Sequence, residues 1–285
     1  MKLAELFKQK QVFSLEVFPP KREAPIDSIY KTLDGLKALN PDFISVTYGA
    51  GGSENFEKTF HVAKSIKHDY NIESLAHLSC IGLNKDEVKT LLDEFKQGGI
   101  ENILALRGDL NPSVKLSKDF RYACDLINFI RETGDFDIAG ACYPETHPEA
   151  QSPEADIDFL KEKVEAGCTH LISQLFFDNE DFYRFLDRCE KKGINVPIEA
   201  GIMPVVNKAQ IERMASLCGA RLPKKFIKIM DKYENKPQQL HDAGIAYAVD
   251  QIVDLLTQGV DGVHLYTMNK PDTAFKIYRS IATLL

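Results

Sequence analysis

Eight short β-prone runs alternate with longer helical patterns along this 285-residue chain, and that alternation limits its fold more than any other feature. The runs are FSLEVF (13–18), DFISVTY (42–48), SLAHLSC (74–80), NILALR (102–107), DIAGACY (137–143), HLISQLFF (170–177), PIEAGIM (197–203) and GVHLYT (262–267). Between them lie patterns such as IDSIYKTLDGLKAL, NKDEVKTLLDEFKQGG and EADIDFLKEKVEAG. In the last of these, Ile157, Leu160 and Val164 recur at intervals of three and four, the stripe of an amphipathic helix. Gly98, Gly99 and Gly167 fall just ahead of strands, where helix C-caps are expected. Several strands are apolar on both faces, as parallel strands are when helices cover the sheet. Eight such units predict an α/β fold, a closed (β/α)8 barrel of the TIM type. An open doubly wound sheet is the alternative. Against it, the strand count matches closure and no GxGxxG follows an early strand; GAGGS (49–53) lacks the spacing. No linker-like shift of composition divides the chain, so residues 1–285 are expected to form a single domain. The segment 204–260 exceeds one β/α unit and predicts a loop-and-helix insertion after strand seven, near the barrel mouth.

The totals exclude several classes of function. A net charge of −7 argues against a broad nucleic-acid or anionic-membrane surface, which would need clustered Lys and Arg. A small anionic ligand stays open, because a few local cations suffice. No run of about 18 apolar residues exists, so no spanning helix is expected. The N-terminal MKLAELFKQK predicts a short amphipathic helix and has no h-region, so no signal peptide is expected. The six cysteines are scattered without a CxxC pair, which suits free thiols in a reducing cytoplasm. The seven histidines show no HxH or HExxH spacing, so no metal site is expected.

In a barrel enzyme the chemistry sits at the C-terminal ends of the strands and in the loops that follow. Polar residues there are Glu16 on strand one, Thr47 and Tyr48 at the end of strand two, and His77 on strand three. Arg107 and Asp109 follow strand four, Tyr143 ends strand five, and Gln174 lies late in strand six. Glu16 has two readings. It is either half of a buried ion pair, with Arg107 the candidate partner, or a carboxyl whose apolar pocket keeps it protonated for use as a general acid. Asp109, beside Arg107 and Gly108, is the candidate for a carboxylate that stays ionised and stabilises a cationic intermediate. In ACYPETHPEA (141–150) two prolines, a tyrosine and a histidine suggest either a stiff surface turn or a rigid loop presenting Tyr143 and His147 to a ligand. Asp156 and Lys163 are seven apart on the next helix, hence on one face, and could hold a sugar diol and a phosphate respectively.

Taken together, LEVFPPK (15–21), FISVTYGAGGS (43–53), AHLSCIG (76–82), LALRGDL (104–110), YPETHPEA (143–150), KVEAGCTHLISQLFFD (163–178), GIMPV (201–205) and HLYTMNK (264–270) resemble the methylenetetrahydrofolate reductases, in the compact bacterial form that has only the catalytic barrel. The resemblance runs in order from residue 15 to residue 270. It implies a flavoprotein that binds FAD non-covalently, takes a hydride from NADH or NADPH, and reduces 5,10-methylenetetrahydrofolate to 5-methyltetrahydrofolate for methionine synthesis. It implies that Glu16 is the general acid that helps open the folate ring to a 5-iminium cation, and that Asp109 stabilises that cation. Gln174 would bond the folate where the nicotinamide also stacks, with Gln210 and Lys270 as further substrate contacts. FAD contacts would fall to Thr47, Tyr48, Ala50, His77, Arg107, Gly108, Asp109, Tyr122, Ala123, Tyr143, His147, Ala150, Asp156 and Lys163. Dimers or tetramers are implied as well.

The sequence departs from the family pattern in three places. Met214 stands where a relative has a phenylalanine that packs on folate or nicotinamide. Phe159 and Glu162 replace polar and basic residues on the helix that faces FAD. The cofactor's pyrophosphate would then depend more on Lys163 and on backbone amides. The rival readings are another FAD barrel oxidoreductase of the proline-dehydrogenase kind, and a folate-binding barrel that is non-catalytic or receives its electrons from a partner protein.

Overall fold

A computed structural model of the chain describes residues 1–20, 27–48, 53–110 and 116–285. Eight parallel strands close into a barrel in chain order, β1 pairing with both β2 and β8. They are β1 (Val12–Val17), β2 (Phe43–Val46), β3 (Glu73–Ser79), β4 (Asn102–Leu106), β5 (Asp137–Cys142), β6 (His170–Ser173), β7 (Ile198–Ile202) and β8 (Gly262–Tyr266). The expected closed barrel is therefore the observed one, and each of the eight predicted runs overlaps a strand, six containing it whole and β1 and β3 starting one residue earlier. Around it run α1 (Asp27–Lys37), α2 (Ser53–His68), α3 (Lys85–Gln97), α4 (Ala123–Thr133), α5 (Pro153–Ala166) and α6 (Asn179–Lys191). The ring is completed by α7 (Lys208–Cys218), α8 (Lys224–Tyr233), α9 (Pro237–Thr257) and α10 (Pro271–Ile281).

Strand side chains alternate between two environments. On β1 the outward residues Phe13, Leu15 and Val17 pack among buried helical side chains such as Ile29, Leu33 and Ile277. The helices supply matching stripes: Val88, Leu92 and Phe95 are the buried positions of α3. That helix starts on a capping box, in which Asn84 Oδ1 accepts from Glu87 N and Glu87 Oε2 accepts from Asn84 N. It stops at Gly98, and Gly99 follows in a left-handed conformation, φ +74°.

Inside the barrel, Val12, Phe43, Leu75, Leu104, Ala139 and Ile172 form an apolar layer at the N-terminal end of the strands. The chain's first residues plug it. The expected N-terminal helix is only a 3-10 turn over Leu3–Glu5, because strand side chains take its free N–H groups. Leu3 N donates to Asn102 Oδ1 at 3.0 Å and Ala4 N to Asp137 Oδ2 at 2.8 Å. Leu3 is thereby buried completely against the apolar layer.

The insertion after strand seven is α7 and α8 with the first turns of the long α9. Ile211, Phe226, Met230 and Leu240 from these helices form a separate core with Leu175, Phe177, Met203 and Val205 from the β6 and β7 ends. Gly244 lets α9 lie against the loop after β7, where a Cβ would come within 1.7 Å of Val205 O. All six cysteines are free thiols. Among the described residues no helix is long and apolar enough to cross a membrane.

Candidate active site

The C-terminal end of β1 carries Glu16, on the inward face together with Ser14. Its surroundings differ from both sequence expectations. Arg107 is not its partner; the guanidinium makes a two-pronged pair with Glu149, at 2.7 and 2.6 Å. Nor is the pocket apolar. Glu16 Oε2 lies 3.6 Å from His77 Nε2 and 3.8 Å from His264 Nε2. Burial holds His77 well below its ordinary range, at about 4, although Glu16 opposes the shift. His77 is therefore a neutral ring at neutral pH, and its buried Nε2 makes no hydrogen bond among the described residues.

The position of Glu16 is set from the neighbouring loop. Its carbonyl accepts from Thr267 Oγ1 at 2.6 Å. Two residues on, Phe18 is clamped by Asn269, whose Oδ1 accepts from Phe18 N and whose Nδ2 donates to Phe18 O, at 3.0 and 2.8 Å. Pro19 and Pro20 follow, with no N–H to continue the ladder. Met268 and Asn269 both adopt left-handed backbone angles to make this clamp.

Asp109 follows β4 on an exposed turn. The turn needs Gly108, whose φ is +94° and whose added Cβ would sit 2.1 Å from Ser79 Oγ. Asp109 bears electrostatically on Arg107, Tyr143 and Cys218, so it lies among the ends of β4 and β5 and the insertion. Burial pushes the Tyr143 hydroxyl up to about 12, with Cys218 and Asp109 adding to the shift.

The loop after β5 is rigid through its own bonds. The rings of Tyr143 and His147 meet edge to face, with centroids 4.5 Å apart. Asp156 Oδ2 accepts from His147 N at 2.8 Å, and Lys163 Nζ donates to Ala141 O at 2.6 Å. Both α5 residues thus tie the helix to the β5 end. Lys163 keeps two further ammonium protons; Asp156 keeps its second oxygen. Nearby, Tyr122 at the start of α4 and Phe159 on α5 stack their rings 6.2 Å apart. Both remain nearly half exposed, at 46% and 48%.

The other expected contacts are more dispersed. Thr47 and Tyr48 lie just past β2, where Thr47 N donates to Val17 O. Strand β6 ends at Ser173, so Gln174 stands beyond it and not within it; its Oε1 accepts from Leu175 N. Gln210 is in the first turn of α7 and Lys270 is the exposed residue capping α10. Met214 packs on the core of the insertion. Ala123 begins α4 and Ala150 closes the YPETHPEA turn through its N–H to His147 O. Ala50 lies outside the described residues. Among the described residues no group of three His, Cys, Asp or Glu side chains could hold a metal ion. An open groove of about 500 Å³ lies on the outer face of α1 and α2, away from these strand ends.

Sequence reasoning missed His264 and Glu199. Glu199 is the lone ionisable side chain in its apolar strand run and His264 shares its run only with Tyr266, the same signal that drew attention to Glu16.

The family sequence model described as Methylenetetrahydrofolate reductase matches residues 2–282. The 5,10-methylenetetrahydrofolate reductase of Escherichia coli K12 is 38% identical over 279 residues, covering 98% of this chain and 93% of that protein. That of Pectobacterium carotovorum is also 38% identical, covering 98% and 92%. Methylenetetrahydrofolate reductase (NADH) 1 of Arabidopsis thaliana is 33% identical over 95% of this chain but only 48% of its own length. Among solved structures, an uncharacterised Clostridium thermocellum protein described as binding two copies of 5-methyl-5,6,7,8-tetrahydrofolic acid superposes with TM-score 0.70 over 98% of both chains, at 15% identity.

Proposed function

This chain belongs to the methylenetetrahydrofolate reductase family, and on that premise we propose that it reduces 5,10-methylenetetrahydrofolate to 5-methyltetrahydrofolate with FAD and with NADH or NADPH. The observation that carries the reading is Glu16, whose carboxyl stands at the open end of the barrel beside two imidazoles while Thr267 holds its main-chain carbonyl and Asn269 the backbone of Phe18. Residues 1–285 act as one catalytic domain, in the cytoplasm, as a dimer or tetramer, and the product supplies methyl groups for methionine synthesis.

The residues at the mouth fit FAD. The stacked Tyr122 and Phe159 offer a flat, half-exposed apolar face of the kind an adenine covers. The remaining donors of Lys163 supply positive charge for a pyrophosphate, while the guanidinium of Arg107 is already paired with Glu149. The orphan Nε2 of His77 is a buried polar atom that a ligand could satisfy. FAD, when bound, supplies hydride transfer between nicotinamide and folate.

The chain's own residues do the rest. Glu16 in its acid form gives a proton to the folate nitrogen that leaves when the five-membered ring opens. Asp109 supplies a negative charge near the iminium cation that results. Gln174, Gln210 and Lys270 orient the folate.

The test is optical. The purified protein should show a flavin absorbance that bleaches on anaerobic addition of NADH or NADPH and returns on addition of 5,10-methylenetetrahydrofolate. Bleaching without return would leave a flavin oxidoreductase with another substrate; no bleaching by either nucleotide would indicate a barrel fed by a partner protein.

A further inference from the structure

Beneath Glu16 the barrel interior holds a chain of polar contacts with no part in the chemistry proposed above. Glu199 on β7 is completely buried. Its Oε1 lies 2.7 Å from Ser14 Oγ, and its Oε2 has no hydrogen-bond partner among the described residues. Ser14 Oγ lies in turn 2.6 Å from Nδ1 of the buried His264. The other ring nitrogen of His264 lies 3.4 Å from Ser45 Oγ and 3.8 Å from Glu16 Oε2. The strand register builds this path: Ser14 pairs with His264 across β1 and β8, while Glu16, two residues on, shares the inward face.

With His264 neutral and the proton of Glu199, when present, on Oε1, two proton arrangements satisfy these distances. With Glu199 ionised, Ser14 donates to Glu199 and accepts from His264 Nδ1–H. The lone pair of Nε2 then faces Glu16, an arrangement that favours the protonated carboxyl. With Glu199 protonated, the acid donates to Ser14 and Ser14 donates to Nδ1. Nε2–H then faces Glu16 and favours its carboxylate. A hydroxyl with a single proton cannot serve both neighbours in the same sense, so the state of Glu199 is coupled to the tautomer of His264.

We propose that Glu199 is a positioning residue which, through Ser14, selects the tautomer of His264 and so decides whether Glu16 meets a proton acceptor or a proton donor. The bearing on catalysis rests on the role proposed above for Glu16; the tautomer coupling itself does not.

The surrounding charges put the switch in a useful range. Burial pushes Glu199 up to about 7, with Asp42 and Asp261 adding to the rise and His264 and Ser14 opposing it. The remaining groups facing the pair are Glu16 on β1, His77 on β3 and His170 on β6. Burial keeps both of these histidines neutral at neutral pH, each at about 4. Asp42 accepts from Phe13 N and Asp261 from Ile198 N, so both are anchored at the strand starts. Glu199 is thus the buried carboxyl of this interior whose charge changes within the working range of pH.

The test reads the ring nitrogens of His264 by long-range proton–nitrogen NMR of histidine-labelled protein, with the resonance assigned from His264→Gln. In the native protein the proton should move from Nε2 to Nδ1 as pH rises through about 7. Glu199→Gln and Ser14→Ala should each abolish the pH dependence, the first by removing the titrating group and the second by cutting the path. A native tautomer that does not change with pH, or a switch that survives in either variant, overturns the proposal. If Glu199→Gln fails to fold, Ser14→Ala by itself decides between these outcomes. In turnover, Glu199→Gln removes the buried charge beneath Glu16, so the pH profile of the folate half-reaction should differ from that of the native protein. A native protein that switches tautomer but never turns over the folate would keep the coupling and sink the proposed function.

Discussion

At the scale of single residues, Glu16 and Glu199 show how one strand pattern leads to two different chemistries. Glu16 opens toward the mouth, whereas Glu199 is sealed beneath it. Glu16→Gln keeps the shape and removes the transferable proton, so folate reduction should fall at least ~100-fold. Oxidation of NAD(P)H by an artificial acceptor should continue in that variant; normal folate turnover would remove Glu16 from its role. Glu199→Gln should affect stability with a definite sign. The folded-state value near 7 lies above the ordinary 4.5, so the native state binds the extra proton and loses stability as pH rises through that window. The amide escapes the loss. Its melting temperature should match the native protein near pH 5 and exceed it at pH 8, by the equivalent of up to about 3 kcal/mol. An advantage independent of pH would mean that Glu199 is ionised at no cost. Glu16 was legible as an isolated acid in an apolar run; its two histidine neighbours were not, because His77 and His264 arrive from other strands.

At the scale of elements, the turns after the strands hold the site, and two of them depend on unusual backbone. Gly108 places Asp109 by a positive φ beside Ser79, so Gly108→Ala meets both strain and a clash. It should destabilise the protein by about 1–3 kcal/mol and slow the folate half-reaction with it. A variant with native melting and native turnover would show that the turn has another way to form. Asn269 bridges the end of β8 to the end of β1, and Asn269→Ala removes both bonds to Phe18. Since this strands two backbone groups near the mouth, kcat should drop while the barrel, measured by far-UV circular dichroism, stays folded. The helix stripes and glycine caps were legible because they depend on spacing within one segment. The end of β6 was not: HLISQLFF stays β-prone to its end, and only the barrel shows that the strand stops at Ser173, Gln174 N making the last bond to Cys142 O while Leu175 and Phe177 pack on the insertion.

At the scale of the whole molecule, the barrel is filled at one end by a plug that local pattern assigned to a helix. Leu3, from a segment expected to be helical, fills the end of the barrel opposite the site. Leu3→Ala should therefore cost about 2–5 kcal/mol despite lying beside a chain terminus, read as a lower denaturant midpoint. A negligible change would mean the barrel closes without the plug. The sequence by itself determined eight parallel β/α units, their order, the extra helices after the seventh, and the family, because strand and helix periodicities and ordered motifs are properties of neighbouring residues. Only the tertiary structure decided that Arg107 belongs to Glu149 and that Glu16 stands over a path running through His264 and Ser14 to Glu199. Those contacts join residues up to 250 positions apart. The path from Glu16 to Glu199 exists because barrel closure brings β1, β7 and β8 side by side, and the Arg107 pair because β4 and β5 are neighbours, which no spacing along the chain encodes.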